Sequence, residues 1–226
     1  PMTLDAERTR SNSSIAVDML RDLIFSGELA AGTDHLESEL AEVLGMSRTP
    51  VREAVVLLEA QGLLEVRPRK GVRIKRVSPE DMAEIYDILT ELESLAAETA
   101  AKAGYSEQEL SGMKQALDAM DEAIALHNRE AWAIADDNFH QELVSLGKNV
   151  RLQAIATMMS DQVRRARLVT LYIRPEPTKS NSDHRDVYDA ILRGDAAAAR
   201  AVHHEHRAHA KQVILELLRR HRLSSI

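Results

Sequence analysis

No cysteine occurs among the 226 residues, so neither a disulfide nor a thiolate metal site can be built. That absence suits a reducing compartment, and a cytoplasmic location is the expectation. Aromatic residues are scarce at 3%, with one Trp and two Phe. A core made from Leu, Ala, Val, Ile and Met favours helix packed on helix over stacked sheets. No apolar run approaches the roughly 20 residues that a spanning helix requires, and no secretory signal is visible. A soluble chain with no membrane partner is therefore expected. No repeat with a period of roughly 20 to 50 residues appears. Pro1, ahead of Met2, is read as a cloning remnant and set aside.

What is present allows two ordinary domains with real cores, since 44% of the residues are hydrophobic. The net charge of −7 argues at first against nucleic acid. Its distribution reverses that reading. Residues 1–77 carry 11 Lys+Arg against 12 Asp+Glu, whereas 78–226 carry 18 against 24. Within 48–76 there are eight basic residues and three acidic ones, a local excess of the kind phosphate binding requires.

Residues 1–12, with Arg8 and Arg10, are expected to form a loose arm. From about Ser14, Ile15, Met19, Leu20, Leu23 and Ile24 recur at helical spacing, and Gly27 stops the helix. After a turn at Gly32, a short helix carries Leu40, Val43 and Leu44 on one face. Gly45 turns the chain into the stretch 46–54. There Thr49 can cap a helix with Pro50 at its first position, and Arg48 and Arg52 flank that start. Val51, Ala54, Val55 and Leu58 would face inward. A helix-turn-helix reads DNA with the first residues of its second helix, which is where Arg48 and Arg52 fall. After Gly62, residues 63–66 and 72–75 read as two strands about a turn at Pro68, Arg69, Lys70 and Gly71. Six of the ten residues in 67–76 are basic and none is acidic, as a DNA-contacting wing would be.

Ile24, Gly27, Leu29 and Gly32, then Leu40-Ala41, then the run from Ser47 to Ala54 followed by Leu58-Glu59 and Gly62-Leu63, resemble the winged helix of GntR-family transcription regulators. Ala31 and His35 depart from the family pattern, away from the reading surface. The resemblance implies DNA contact by Ser47, Arg48, Thr49 and Arg52, with Thr49 and the wing around Lys70 and Gly71 fixing register on the backbone.

Ser78, Pro79, Glu80 and Asp81 combine a cap, a proline at the first helical position and acids in the first turn. A domain boundary is placed there, giving a winged helix-turn-helix over 1–77 and an all-α antiparallel bundle over 78–226. Helices are predicted at 79–103, 106–127, 128–146, 149–173, 181–193 and 195–222. The inward stripe of the third reads Trp132, Asp136, Phe139, His140, Leu143, so a carboxylate and an imidazole share an apolar face. Either they satisfy each other or they hold a metal.

The last two helices favour the metal. His184 lies on the stripe with Val187, Tyr188 and Ile191, and His206 on the stripe Ala199, Val202, His206, His209, Val213. The two histidines are about level across the turn at Gly194, at a rise of ~1.5 Å per residue. One carboxylate and three imidazoles suit zinc first, with nickel, manganese or iron as alternatives, and leave coordination positions open. His203 and His204 read as solvent-exposed, and His209 as core or a neighbour of the ligands.

Asp136, Phe139 and His140, then Asp183-His184, then Ala190-Ile191 and Gly194-Asp195, then His206, resemble the FCD effector domain of the FadR-like branch of the GntR family. The resemblance implies that Asp136, His140, His184 and His206 are metal ligands and that the metal helps hold a small carboxylate effector. Relatives carry an Arg three residues before Leu-Glu, a position held here by Leu89, so that cation is missing. Gln162, on the stripe Leu152, Ile155, Met159, Val163, Ala166, is either a pocket contact or an internal hydrogen bond.

The sequence thus reads as a mainly α, metal-binding transcription regulator. It would act as a repressor and a homodimer on a double-stranded DNA operator, controlled by a small-molecule effector. The alternative is a helical metal-dependent hydrolase. Its nearest general base, Asp137, is rotated ~100° from the ligand face, so no enzymatic activity is expected.

Overall fold

Residues 11–76 and 78–221 are described in the structure, a computed structural model. The arm with Arg8 and Arg10, Pro1, and the predicted helix end at residue 222 lie outside the described residues. The chain divides into two compact units, 1–76 and 77–226.

In the first unit, α1 (Asn12–Ser26) starts where Ser11 accepts a hydrogen bond from the Ser14 backbone and ends at Gly27 with φ +83°. It buries Ala16, Val17, Leu20, Ile24 and Phe25, while Met19 stays exposed. Next come β1 (Asp34–His35), α2 (Glu37–Leu44), α3 (Arg48–Ala60), β2 (Leu64–Arg67) and β3 (Gly71–Ile74). The sheet is antiparallel in the order β1-β3-β2, with Val66 opposite Val72 and Asp34 opposite Arg73.

Three local expectations change. α3 begins at Arg48 with Ser47 as its N-cap, so Thr49 is not the cap and Pro50 is the third helical residue. Proline is tolerated there because the first four N–H groups of a helix lack internal partners in any case. On α2 the buried face is Leu40, Ala41 and Leu44, while Val43 is exposed. The two-residue β1 was not foreseen, being too short to display alternation.

In the second unit, α4 (Pro79–Ala103) packs against α6 (Arg129–Leu146), α7 (Val150–Thr170), α8 (Thr178–Leu192) and α9 (Ala196–Arg220). α5 (Ser111–Ala125) covers α6 and α8. Ser78 and Asp81 form the capping box that opens α4. α5 starts five residues later than predicted, because Ser106 bonds Glu109 in a separate turn first. α8 starts earlier, at Thr178 directly after Pro177. One apolar cluster joins α5, α6 and α8 through Met113, Leu117, Phe139, Leu143, Val187 and Ile191. A second joins α4, α7 and α9 through Met82, Tyr86, Leu89, Val163, Ala166 and Ile214. The polar site lies where α4, α6, α8 and α9 meet.

The wing gives a direct test of local geometry. Gly71 has φ +81°, and a Cβ there would stand 2.3 Å from the His35 carbonyl oxygen of β1. Gly71→Ala should therefore destabilise the winged unit by about 1–3 kcal/mol, read as a lower melting temperature of the full chain. An unchanged melt would mean that the contact between β1 and β3 does not constrain this position.

Candidate DNA-reading helix and candidate metal centre

α3 turns Val51, Ala54, Val55 and Leu58 into the core with no exposed surface. Helical periodicity then leaves Ser47, Arg48, Thr49 and Arg52 exposed together at its start. Arg52 Nε lies 3.1 Å from Glu37 Oε2 in the first turn of α2, with its side chain 64% exposed. An exposed pair of this kind is worth at most about 1 kcal/mol, so a phosphate or a base edge can displace it. Lys70 is exposed at the tip of the wing, whereas Gly71 is half-buried against β1. Farther along the wing, Arg67 and Arg73 both reach Asp34 Oδ1, at 3.3 and 3.5 Å.

In the helical unit, Asp136 and His140 of α6, His184 of α8 and His206 of α9 come together, all buried. Ligand atoms of His140, His184 and His206 lie within 4.8 Å of one another. His184 Nε2 faces His140 Nε2 at 3.2 Å. Asp136 Oδ1 is 3.6 Å from His184 Nε2, and its Oδ2 is 3.9 Å from His140 Nε2. Around an ion with bonds of ~2.1 Å, tetrahedral ligand atoms stand ~3.4 Å apart, so this donor set fits a divalent cation.

The electrostatics agree with that fit. Burial, reinforced by His206, pushes His184 well below the usual imidazole range, and burial followed by His140 does the same to His206. Both rings are therefore neutral, the form that ligates metal. Burial would raise the Asp136 carboxyl, but Arg167, followed by His140 and His184, outweighs it and keeps the group ionised. Arg167 Nη2 stands 2.9 Å from Asp136 Oδ2.

Behind the histidines is an ionic frame that sequence reasoning missed. Glu93 of α4 has no exposed surface and accepts hydrogen bonds from Arg207 Nε and Nη2 at 2.6 and 2.7 Å. His203 Nε2 is 2.9 Å from Glu93 Oε2, and His140 Nδ1 is 3.2 Å from the same oxygen. Burial raises the Glu93 carboxyl, but Arg207 and then His140 reverse the effect and hold it well below the usual range. Glu93, His140 and His203 are also close enough to suggest a metal site. With the Arg207 guanidinium already paired to both Glu93 oxygens, the centre at His140, His184 and His206 is the better fit.

His203 is thus fully buried, contrary to the expectation of solvent exposure, while His209 is exposed rather than core. The inner face of α9 runs Ala199, His203, His206, Arg207, Ile214. The expected stripe preferred Val202 and Val213 because they are more apolar. A signal was available, since His203, His206 and Arg207 share one helical face. His204 is exposed, as expected, against Glu91.

Leu89 lies fully buried in the apolar cluster of α4, α7 and α9. That position carries no cation, but Arg167 and Arg207 are both buried beside the site, paired with Asp136 and Glu93. Gln162 is buried, and its Oε1 accepts from Arg165 Nη1 at 3.3 Å. The face of α7 is also corrected. Ile155 is 45% exposed and Ala156 takes the inward place.

The sequence profile of bacterial regulatory proteins of the gntR family matches residues 12–74, and that of the FCD domain matches residues 84–209. A Paenarthrobacter nicotinovorans protein named as a probable D-xylose utilization operon transcriptional repressor is 30% identical over 200 residues, 87% of each chain. An HTH-type transcriptional regulator of Streptomyces ambofaciens is 31% identical over 193 residues, 83% of this chain and 78% of that one. Among solved structures, E. coli McbR/YncC superposes with a TM-score of 0.76 at 22% identity, covering 92% of this chain and 99% of that one.

Acid should destabilise the chelator-treated protein. Burial pushes His203 down from 6.5 to about 4 despite its bond to Glu93, and His184 and His206 are lowered as well. Once unfolded, these rings take up protons near pH 6.5, so the unfolded state binds more protons and stability falls from about pH 6.5 toward about pH 4. Glu93 and Asp136, held below their usual range, add a loss of the same sign at lower pH. Thermal melts of the helical unit should therefore drop between about pH 7.5 and about pH 5, and a flat profile would contradict the neutral, buried assignment.

Proposed function

The chain belongs to the gntR family of bacterial regulatory proteins and carries an FCD domain, and from that premise we propose that it is a transcription repressor whose hold on its operator is set by a small carboxylate effector bound near a divalent metal. The observation that carries the reading is the convergence of His140, His184 and His206 with Asp136 in the domain joined to the winged helix. Zinc is the first assignment, with nickel, manganese or iron able to use the same nitrogens. The metal supplies a positive anchor with open positions for an anionic ligand.

The residues divide the work. Arg48 and Arg52 reach guanine edges or adjacent phosphates, each good bidentate base contact being worth about 1–3 kcal/mol. Ser47, Thr49 and the wing residues Lys70 and Gly71 fix the register on the backbone. Asp136, His140, His184 and His206 hold the metal, and Glu93 with His203 and Arg207 backs them from behind. Leu89 and Gln162, the other expected effector contacts, are both buried, Leu89 among apolar neighbours and Gln162 against Arg165, so a role for either requires the domain to open around the ligand. Two copies on a pseudo-palindromic operator are the working assembly, and effector binding shifts the population of half-site spacings.

No enzymatic step is assigned. Asp137, the base that a hydrolase would call on, is paired with Arg167 and lies 3.5 Å from Arg164. Among the described residues no helix is long and apolar enough to cross a membrane, and a cytoplasmic location is part of the proposal because the operator is there.

Two measurements test the proposal. Protein purified without chelator should hold about one divalent ion per chain, and the double variant His184→Ala, His206→Ala should hold none while still binding DNA. Metal analysis that finds no ion after repletion removes the centre. Separately, Arg52→Ala should weaken binding to a selected operator by about 1–3 kcal/mol in a fluorescence anisotropy titration. Unchanged affinity and salt dependence would show that the reading surface lies elsewhere.

A further inference from the structure

On the side of α4 away from Glu93, an apolar strip remains in contact with solvent. Ile85, Ile88, Leu92 and Leu95, followed by Thr99, recur there at alternating steps of three and four, the spacing of a coiled-coil seam. Ile88 and Leu95 are 49% and 42% exposed, and Ile85 and Leu92 are half-buried. A helix that lines only its own core carries polar residues on its outer side. Single exposed apolar residues are ordinary, but four in register form a contiguous strip.

α7 extends it. That helix starts beside Ala96, where a Cβ on Gly147 would stand 3.0 Å from the Ala96 side chain, and its Val163 and Ala166 share an apolar cluster with Met82 and Tyr86. It therefore runs antiparallel to α4. One flank of α7 turns Arg164 and Arg167 toward Asp137 of α6. Helical periodicity puts Arg151, Ile155 and Met158 on the opposite flank, the side of the α4 strip, and Arg151 and Ile155 are exposed. The other edge of the strip is acidic, with Glu84 and Glu91, and Glu91 bonds Arg200 of α9.

We propose that this two-helix face holds a second copy of the chain, α4 of each copy lying over α7 of the other about a two-fold axis parallel to the helices. At ~1.5 Å rise per residue and ~10 Å width per helix, the face measures roughly 30 Å by 20 Å. That is about 600 Å² before surface corrugation, close to the ~800 Å² per partner that a stable interface buries. Charge selects the arrangement, since an isologous contact must complement itself. Counted back from Ala96 and forward from Gly147, Glu91 and Arg151 stand level. Laying α4 over α7 brings the acidic edge toward Arg151, whereas laying α4 over α4 would oppose the two acidic edges. The interface deepens the two-copy operator reading above and rests on it for its purpose, because each half-site needs its own winged unit.

Sedimentation velocity of the full-length protein tests the assignment. Wild type should sediment as a dimer at micromolar concentration, and the double variant Ile88→Glu, Leu95→Glu as a monomer with unchanged helix content. Arg151→Glu, which sets like charges together, should raise the dimer dissociation constant about tenfold. Ile134→Glu, at a still more exposed isoleucine on α6 outside the face, should remain dimeric. A monomeric wild type, a dimer that survives the double variant or is indifferent to Arg151→Glu, or equal disruption by Ile134→Glu would each overturn the proposal. If the double variant loses helix content, cross-linking decides instead. The chain has no cysteine, so a flexible bismaleimide should join copies of Ile88→Cys and leave Ile134→Cys unjoined, and the reverse overturns the interface. A wild-type dimer that binds no operator defeats the repressor reading alone, whereas operator binding with a dimer untouched by the double variant defeats only this interface.

Discussion

Glu93 is a carboxylate with no exposed surface, and the helical unit is built around its compensation. Moving an ion out of water costs several kcal/mol, so a buried carboxylate persists only where cations and donors surround it. Arg207 meets both of its oxygens, and His203 and His140 approach one of them. These groups come from α4, α6 and α9, so a single charge ties three helices into one register. The same tie presses the His140 ring between Glu93 on one side and His184 on the other, as partners beyond the ligand shell commonly orient a metal-binding imidazole. The candidate ligands therefore stand on an ionic frame rather than on a purely apolar one.

That frame explains which parts of the chain were legible. Capping chemistry and periodicity located α4, α6 and α9 to within a residue or two, because Ser78, Asn128 and Asp195 each accept a hydrogen bond from the first turn of their helix. The four candidate ligands were legible because polar groups on an otherwise apolar stripe stand out. Faces were harder to read. On α9 the buried side is partly ionic, so an apolar count preferred Val202 over His203. On α7 a close helix approach favours Ala156, and the larger Ile155 is left outside. Glu93 had no local signature, since its hydrogen-bond partners His203 and Arg207 lie 110 and 114 residues away along the chain. Distant pairing also defined β1, which is a strand only because β3 lies beside it.

Charge compensation divides the two parts of the protein differently. In the helical unit Glu93, Asp136, Arg167 and Arg207 are buried and paired with one another. In the winged unit Arg48, Arg52 and Lys70 remain at the surface, available to a polyanion. The chain's net charge of −7 thus conceals a basic surface on the winged unit, and local arrangement is the better guide to the partner.

Asp34 adds a consequence on the wing. By holding Arg67 and Arg73, it partly neutralises two of the six basic residues before DNA arrives. Binding of a polyelectrolyte is driven by the release of condensed small ions, roughly 0.9 per phosphate neutralised on B-form DNA. Two guanidiniums that already carry a protein counterion displace fewer of these ions. The wing should therefore contribute less to the ionic-strength dependence of binding than its composition suggests, and the regulator should keep more of its hold as salt rises.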